Sequence, residues 1–373
     1  MNRSRSTPPL TPVADTDKLR ATSAGTAAFA RRLELKFAAD YFRRSTFGQT
    51  LSSLGIGTYL GESTDDIDDA YVASISHAVE RGINVIDSAI NYRSQRSECA
   101  VGAAIQRLLA SGTVSRQELV ICSKGGYIPL GGTLPATRSD YQAYVQRQFI
   151  DEQILRPEEI VAGGHSLAPR FLRYCLAKSR QNLGLRSVDV YYLHNPEQQL
   201  SSVTRDELDL RMRAAFAVLE EAACRGEIGV YGVATWEGLR VPRDSKSHLS
   251  LERLVLIARQ VAGEAHHFRA VQLPINLAMP EAARTPTQSL GARHVTAIQA
   301  ADELGLTAIG SATLMQSKLA QGLPDLLRDH FPGCVTDAQR AVSFARTIPG
   351  VTSVLVGMKQ RSHVDENLAA GLA

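Results

Sequence analysis

The chain has 373 residues, enough for two or three domains of about 100–200 residues or for one large barrel, and its 28 glycines, 15 prolines, 44% hydrophobic and 21% charged residues are those of a globular protein. Collagen-like, disordered and coiled-coil classes are excluded. Lysine plus arginine (41) against aspartate plus glutamate (38) leaves +3 with no basic block, so neither nucleic acid nor an anionic membrane is implied as a partner. Cys99, Cys122, Cys175, Cys224 and Cys334 are widely spaced and free of CxxC, which points to buried reduced thiols, not to disulfides or zinc. No apolar run approaches the roughly 20 residues that span a bilayer, and the first residues lack a signal-peptide stretch, so a cytoplasmic location is expected.

Residues 1–25, rich in Arg, Ser, Thr and Pro, have little to bury and are expected to form a mobile arm. Residues 26–50 show no clear period. From residue 51 onward short apolar runs alternate with helical patterns. LGIGTY (54–59) precedes a helix capped near Thr64, whose Ile67, Val72, Ile75, Ala78 and Val79 recur at helical spacing before Gly82. INVID (83–87), LVICSK (119–124), VDVYYLH (188–194), IGVYGV (228–233), RAVQLP (269–274), LTAIG (306–310) and TSVLVG (352–357) are the other strands, each followed by a helical stretch. Eight such pairs predict a (β/α)8 TIM barrel over 51–373, with an N-terminal extension over 1–50 that is partly disordered.

In such a barrel the reactive groups sit at the C-terminal ends of the strands. Asp87, Lys124 and His194 end the second, third and fourth strands, Gln272 lies near the end of the sixth, and Tyr92 follows Asp87 closely enough to fold over the same mouth. Taken singly, Asp87 is a turn cap, Lys124 half of an ion pair and His194 a core histidine. Gathered at one rim they suggest chemistry. A lysine ending an apolar strand is costly to bury unpaired, and Asp87 is its obvious partner. A tyrosine next to that cation can protonate a developing alkoxide, while His194 orients a carbonyl oxygen or shares in proton transfer. Such a general-acid site suits carbonyl reduction, and since no side chain delivers a hydride, a nicotinamide cofactor is needed.

GIGTYLG (55–61), INVIDSAINYRSQRSECAVGAAI (83–105), LVICSKGG (119–126), SVDVYYLHNPE (187–197) and IPGVTSVLVGMKQRSHVDENLAA (348–370) closely resemble, in order, the motifs of the aldo-keto reductases. The resemblance covers roughly residues 51–370 and implies a catalytic tetrad of Asp87, Tyr92, Lys124 and His194. It also implies an NAD(P)-binding set: Gly57, Thr58 and Tyr59, Asp87, Thr235, Gln272 under the carboxamide, Ser311, and Gly357, Met358, Lys359, His363, Glu366 and Asn367 in the last segment, with the adenine at Glu366 and Asn367. Lys359 and His363, with Arg361 as a further candidate, favour NADP over NAD because a 2′-phosphate needs cations.

Two departures from the family pattern stand out. The Gly-Val-Ser-Asn-Phe that usually follows the fifth strand is Gly232, Val233, Ala234, Thr235 and Trp236, leaving the Thr235 hydroxyl as the substitute carboxamide ligand. The Tyr-Ser-Pro-Leu after the seventh strand is Ser311, Ala312, Thr313 and Leu314, so the ring that stacks on the nicotinamide is missing. Trp236 or a tyrosine from a long loop replaces it, or cofactor affinity is lowered.

More than 40 residues separate Lys124 from the next helix, where about 2–6 are usual. Tyr127, Tyr141, Tyr144 and His165 from this loop are candidates to line a pocket for a glycoside or cyclic ketone; the competing reading is a brace for the mouth or a dimer contact. A second loop, 278–294, is a candidate cover for the cofactor. The function expected is interconversion of a carbonyl (aldehyde, ketone or sugar) and an alcohol. The alternatives are a nucleotide-sensing interaction protein with slow turnover, and a redox-neutral sugar-modifying enzyme that retains its cofactor.

Overall fold

The computed structural model describes residues 19–131 and 134–372; most of the expected mobile arm, residues 1–18, lies outside them. Eight parallel strands close on themselves: β1 (Leu54–Gly57), β2 (Val85–Asp87), β3 (Val120–Gly125), β4 (Val188–His194), β5 (Ile228–Ala234), β6 (Phe268–Pro274), β7 (Thr307–Ser311) and β8 (Val351–Gly357), with β8 hydrogen-bonded to β1. This is the (β/α)8 barrel predicted from the alternation. Each strand is short and apolar because both of its faces are covered, one by the barrel interior and one by helices.

The helix after β1 shows how local signals set the elements. Asp65–Arg81 starts at Thr64, places Asp65, Asp66 and Asp68 in its first turn where the helix dipole favours anions, and stops at Gly82, whose φ of 119° is open to glycine. Its apolar face, including Ile75, Ala78 and Val79, joins the layer between strands and helices.

Val85, Val120, Cys122, Val190, Tyr192, Ala270, Ile309 and Leu355 pack together inside the barrel. Ala21, Leu51 and Phe47 pack against that same cluster from the N-terminal segment and close the base of the barrel. Residues 19–50 are thus built into the fold. Ser23–Leu33 is a helix capped by the Thr22 side chain, and Phe42–Arg44 pairs antiparallel with Thr50–Ser52, a strand that straddles the expected boundary at residue 50. Tyr41, fully buried, stacks on Phe37 at 3.9 Å between ring centres.

The long loop after β3 forms a small core of its own. Helix Arg138–Val145 and the wide turn Gln146–Ile150 bring Val145 and Phe149 against Ile128, Leu155, Phe171 and Cys175. In the loop at 278–294 the hairpin Gln288–Leu290 with Arg293–Val295 is tied through the Gln288 side chain to Leu251 and Leu249, beside helix Leu251–Ala262. Of the cysteines, Cys122 and Cys175 are buried thiols as expected, whereas Cys99 and Cys224 are exposed and Cys334 is half-buried; all five are free. Among the described residues no helix is long and apolar enough to cross a membrane.

Candidate active site

Asp87 ends β2 and Lys124 stands one residue before the end of β3, both buried. Lys124 Nζ donates to Asp87 Oδ2 at 2.5 Å and to the Ser88 carbonyl at 2.8 Å. Gln272, from β6 across the barrel, donates its amide to Asp87 Oδ1 at 2.8 Å, so both carboxylate oxygens are engaged. The Thr58 hydroxyl lies 3.0 Å from the Asp87 carbonyl, joining β1 to β2 at the same level. Burial pulls the Lys124 pKa down, but Asp87 and the neighbouring Tyr92 together carry it above its ordinary value, so the ammonium stays charged.

Tyr92 opens the turn after β2, with its ring centre 4.8 Å from Lys124 Nζ and edge-on to Tyr59 and His194 at 5.0 and 5.8 Å. Burial pushes its phenol pKa up, Lys124 pulls it down and Asp87 pushes it up again; the outcome is a raised value and a protonated hydroxyl at neutral pH. His194, at the end of β4, is held neutral by burial, by Lys124 and by His165, which lower its pKa well below the ordinary value. Its Nδ1 is buried with no partner among the described residues.

The backbone carbonyl of His194 is the end of a polar chain. His165 Nε2 donates to it at 2.7 Å, Gln199 Nε2 donates to His165 Nδ1 at 2.7 Å, and Arg211 donates to Gln199 Oε1 at 2.6 Å. Because a carbonyl only accepts and Arg211 only donates, this chain fixes His165 as the neutral Nε2–H tautomer. Burial brings its pKa to about 4. Gly126 makes room: its φ is 141°, and a Cβ there would lie 3.0 Å from both His165 Nε2 and the His194 oxygen.

These residues border a cavity of about 430 Å³ at the C-terminal rim. It brings together Gly57, Thr58, Tyr59, Asp87, Tyr92, His194, Thr235, Gln272, Ser311 and Gly357, ten of the residues singled out from the sequence. Lys124 lies beneath, reached through Asp87 and Tyr92. Lys359, His363, Glu366 and Asn367 do not line the cavity; they lie beyond Gly357, on or just before helix Arg361–Leu368. Met358 points into the core, and only its carbonyl makes a polar contact, to the Ser74 hydroxyl.

Several expectations for the rim are corrected. The Thr235 hydroxyl donates to Glu197 Oε1 at 2.6 Å and accepts from Gly238 N at 2.8 Å, so its proton is already committed and only its second lone pair is left for a carboxamide amine. Of the four loop residues proposed as a pocket lining, only Tyr127 reaches the cavity. Tyr144 donates to the Pro129 carbonyl, Tyr141 packs against the loop's own core, and His165 is fully buried beneath His194. The rest of the described loop packs on its own core.

Sequence reasoning missed Asn91, Asn195, Gln316 and Ser317 on the lining and Glu197 behind it. Asn195 follows His194 directly and donates to the Tyr127 hydroxyl at 3.0 Å, so its position was available as a signal. Met315, Gln316 and Ser317 all have left-handed φ without a glycine to announce it. Glu197 ends the motif at 187–197, but its role was not legible, since its partners stand 38 to 41 residues away.

A closed parallel barrel with a buried Asp-Lys pair and a tyrosine at its rim defines a class, and sequence comparison agrees with it. The chain belongs to the aldo/keto reductase family, whose model matches residues 53–250, just over half of it. A D-threo-aldose 1-dehydrogenase from Pseudomonas sp is 28% identical over 173 residues, 45% of this chain and 44% of that protein. Prostaglandin F synthase 1 from Bos taurus is 28% identical over 149 residues, 40% of this chain and 33% of that protein. The chain thus spans less than half the length of either relative. Among solved structures, an aldo/keto reductase from Klebsiella pneumoniae in complex with NADP and acetate superposes with a TM-score of 0.58 at 19% identity, covering 89% of each chain. A glycerol dehydrogenase from Gluconobacter oxydans does so with 0.60 at 17%, covering 89% of this chain and 90% of that one. At such identities the likeness establishes the fold.

Proposed function

We propose that the chain is a nicotinamide-dependent oxidoreductase that interconverts a carbonyl and an alcohol, with Tyr92 giving the proton in reduction and taking it back in oxidation. The observation that carries this reading is the buried Lys124, charged by its contact with Asp87 and 4.8 Å from the centre of the Tyr92 ring. The ammonium stabilises the phenolate left when Tyr92 releases its proton, a contribution of about 10²–10⁴ in rate for a positioned acid. Neutral His194 orients the substrate oxygen beside Tyr92. When bound, the reduced nicotinamide supplies the hydride to the carbonyl carbon.

The cavity fits such a group. Gly57 and Gly357 pair side by side on β1 and β8 at the lip, leaving backbone open to close approach. Beyond them Asn367 Oδ1 is buried without a partner among the described residues, an acceptor suited to an adenine amine. Gln272 and Ser311 would border the nicotinamide, and Gln316 and Ser317 offer polar contacts for the diphosphate. Lys359, Arg361 and His363 favour NADP over NAD. Tyr59, Trp236 and Tyr127 supply aromatic faces, and Asn91 and Asn195 supply amides, which suits a polyhydroxylated carbonyl compound. The likeness to an aldose dehydrogenase supports a sugar-like substrate.

The test is Tyr92→Phe. Turnover should be lost while NADPH binding, followed by fluorescence titration, stays within about twofold, since the phenol hydroxyl acts only on the proton. Retention of the wild-type rate by the variant refutes the assignment.

A further inference from the structure

Glu197 lies just beyond β4 and is buried, yet it is not part of the cavity wall. Its Oε1 collects four donors from one turn after β5: the Thr235 hydroxyl at 2.6 Å and the backbone N–H groups of Trp236, Glu237 and Gly238 at 2.9, 3.2 and 3.4 Å. Successive N–H groups converging on one oxygen form an anion nest, here filled by the protein's own side chain. The carbonyl side of the same turn is held too, by Arg240 Nε to the Trp236 oxygen at 3.1 Å, with Arg240 anchored on Glu281 at 2.7 Å. Ala234, Thr235 and Trp236 line the cavity, and Trp236 is 47% exposed. Its backbone N–H is one of the four donors, so the contact with Glu197 fixes the point from which the ring projects.

We infer that Glu197 is a positioning residue: it clamps the turn at residues 235–238 so that Trp236 and the adjoining cavity wall are preset for the dinucleotide. The ligand half of this inference rests on the function proposed above; the clamp itself does not. The turn lacks the Ser and Asn side chains that usually meet the cofactor after the fifth strand in the resembled family, and the only hydroxyl in their place, Thr235, faces away toward Glu197. The wall therefore contributes shape and the Trp236 ring, and its shape is what Glu197 maintains.

Trp236 is the chain's single tryptophan, so its emission reads the clamp directly. The full-length protein, Glu197→Gln and Glu197→Ala are compared by acrylamide quenching without ligand, and then by titration with NADPH and NADH. Glu220→Gln serves as control, because Glu220 is another buried carboxyl bonded to Tyr231 and His267, remote from the turn. The expected result is a quenching constant raised at least about twofold and a dissociation constant for NADPH raised about tenfold in Glu197→Gln, more in Glu197→Ala, with Glu220→Gln unchanged in both. If Glu197→Ala does not fold, Glu197→Gln, which conserves shape, decides alone. An unchanged quenching constant overturns the clamp. Altered quenching with unaltered dinucleotide affinity overturns the claim that the wall is preset for that ligand. Failure of the wild type to bind either dinucleotide sinks the proposed function and the ligand half together, while quenching still decides the clamp.

Discussion

His165 ties the stability of the fold to pH through a single proton. In the native protein its Nε2–H is committed to the His194 carbonyl and its Nδ1 to an N–H of Gln199, whose own oxygen is held by Arg211. A proton on Nδ1 would face that N–H, and Gln199 cannot turn without abandoning Arg211. Tyr127, edge-on at 4.9 Å, and neutral His194 offer no countercharge. Burial, the leading cause, brings the pKa to about 4 from 6.5. The folded value is the lower one, so the unfolded chain takes up the proton first and stability is lost as pH falls below 6.5. At about 1.4 kcal/mol per unit, with half-protonation of the native state at the end of the range, the loss by pH 4 is about 3 kcal/mol. Urea unfolding of wild type and His165→Gln from pH 7.5 to 4 isolates it. Glutamine keeps a donor and an acceptor but no proton to gain, so wild type should be the more stable at pH 7.5 and should lose about 3 kcal/mol relative to the variant by pH 4. Stability curves that run parallel across this range would refute the assignment of a buried neutral His165.

Breaking the Asp87–Lys124 pair from one side, by Lys124→Met or Asp87→Asn, should lower unfolding free energy by about 3–5 kcal/mol in denaturant titrations, because the partner is left buried and unpaired. The double variant should fall short of the sum of the two. Gly126→Ala should lower stability by about 1–3 kcal/mol and reduce kcat more than cofactor affinity, since the added methyl meets the His194 carbonyl and His165. Replacing Lys359 or His363 by Ala should raise the dissociation constant for NADPH and leave that for NADH unchanged; equal effects on both would remove the 2′-phosphate from this segment.

The sequence made the barrel legible wherever an apolar run ended in a polar residue. Asp87, Lys124 and His194 stood out because nothing in a buried strand requires a charge or an imidazole at its last positions. The N-terminal segment was opaque for the opposite reason: Phe42–Arg44 and Thr50–Ser52 are three residues each, too short to show a period, and helix Ser23–Leu33 buries only Thr26, Phe29 and Ala30. Tyr141 and Tyr144 read as pocket residues because aromatic side chains in a loop near the rim look functional, but Phe149 and Phe171 gather the loop into its own core. Thr235 was only half legible, because the acceptor that takes its hydroxyl proton, Glu197, is distant in sequence from it. Local patterns reveal which positions face a site, while tertiary hydrogen bonds decide which of their atoms are still available to a ligand.

The base of the barrel is stoppered by Phe47 and Leu51, and the interior above them is filled by side chains. The cavity lies at the opposite end, at the rim. If two molecules must share the chamber, the one that lies deeper has to arrive first and depart last, and the kinetic scheme is a compulsory queue. Under the proposed function, steady-state patterns should show it: the oxidised dinucleotide competing with the reduced one, and the alcohol product unable to compete with it.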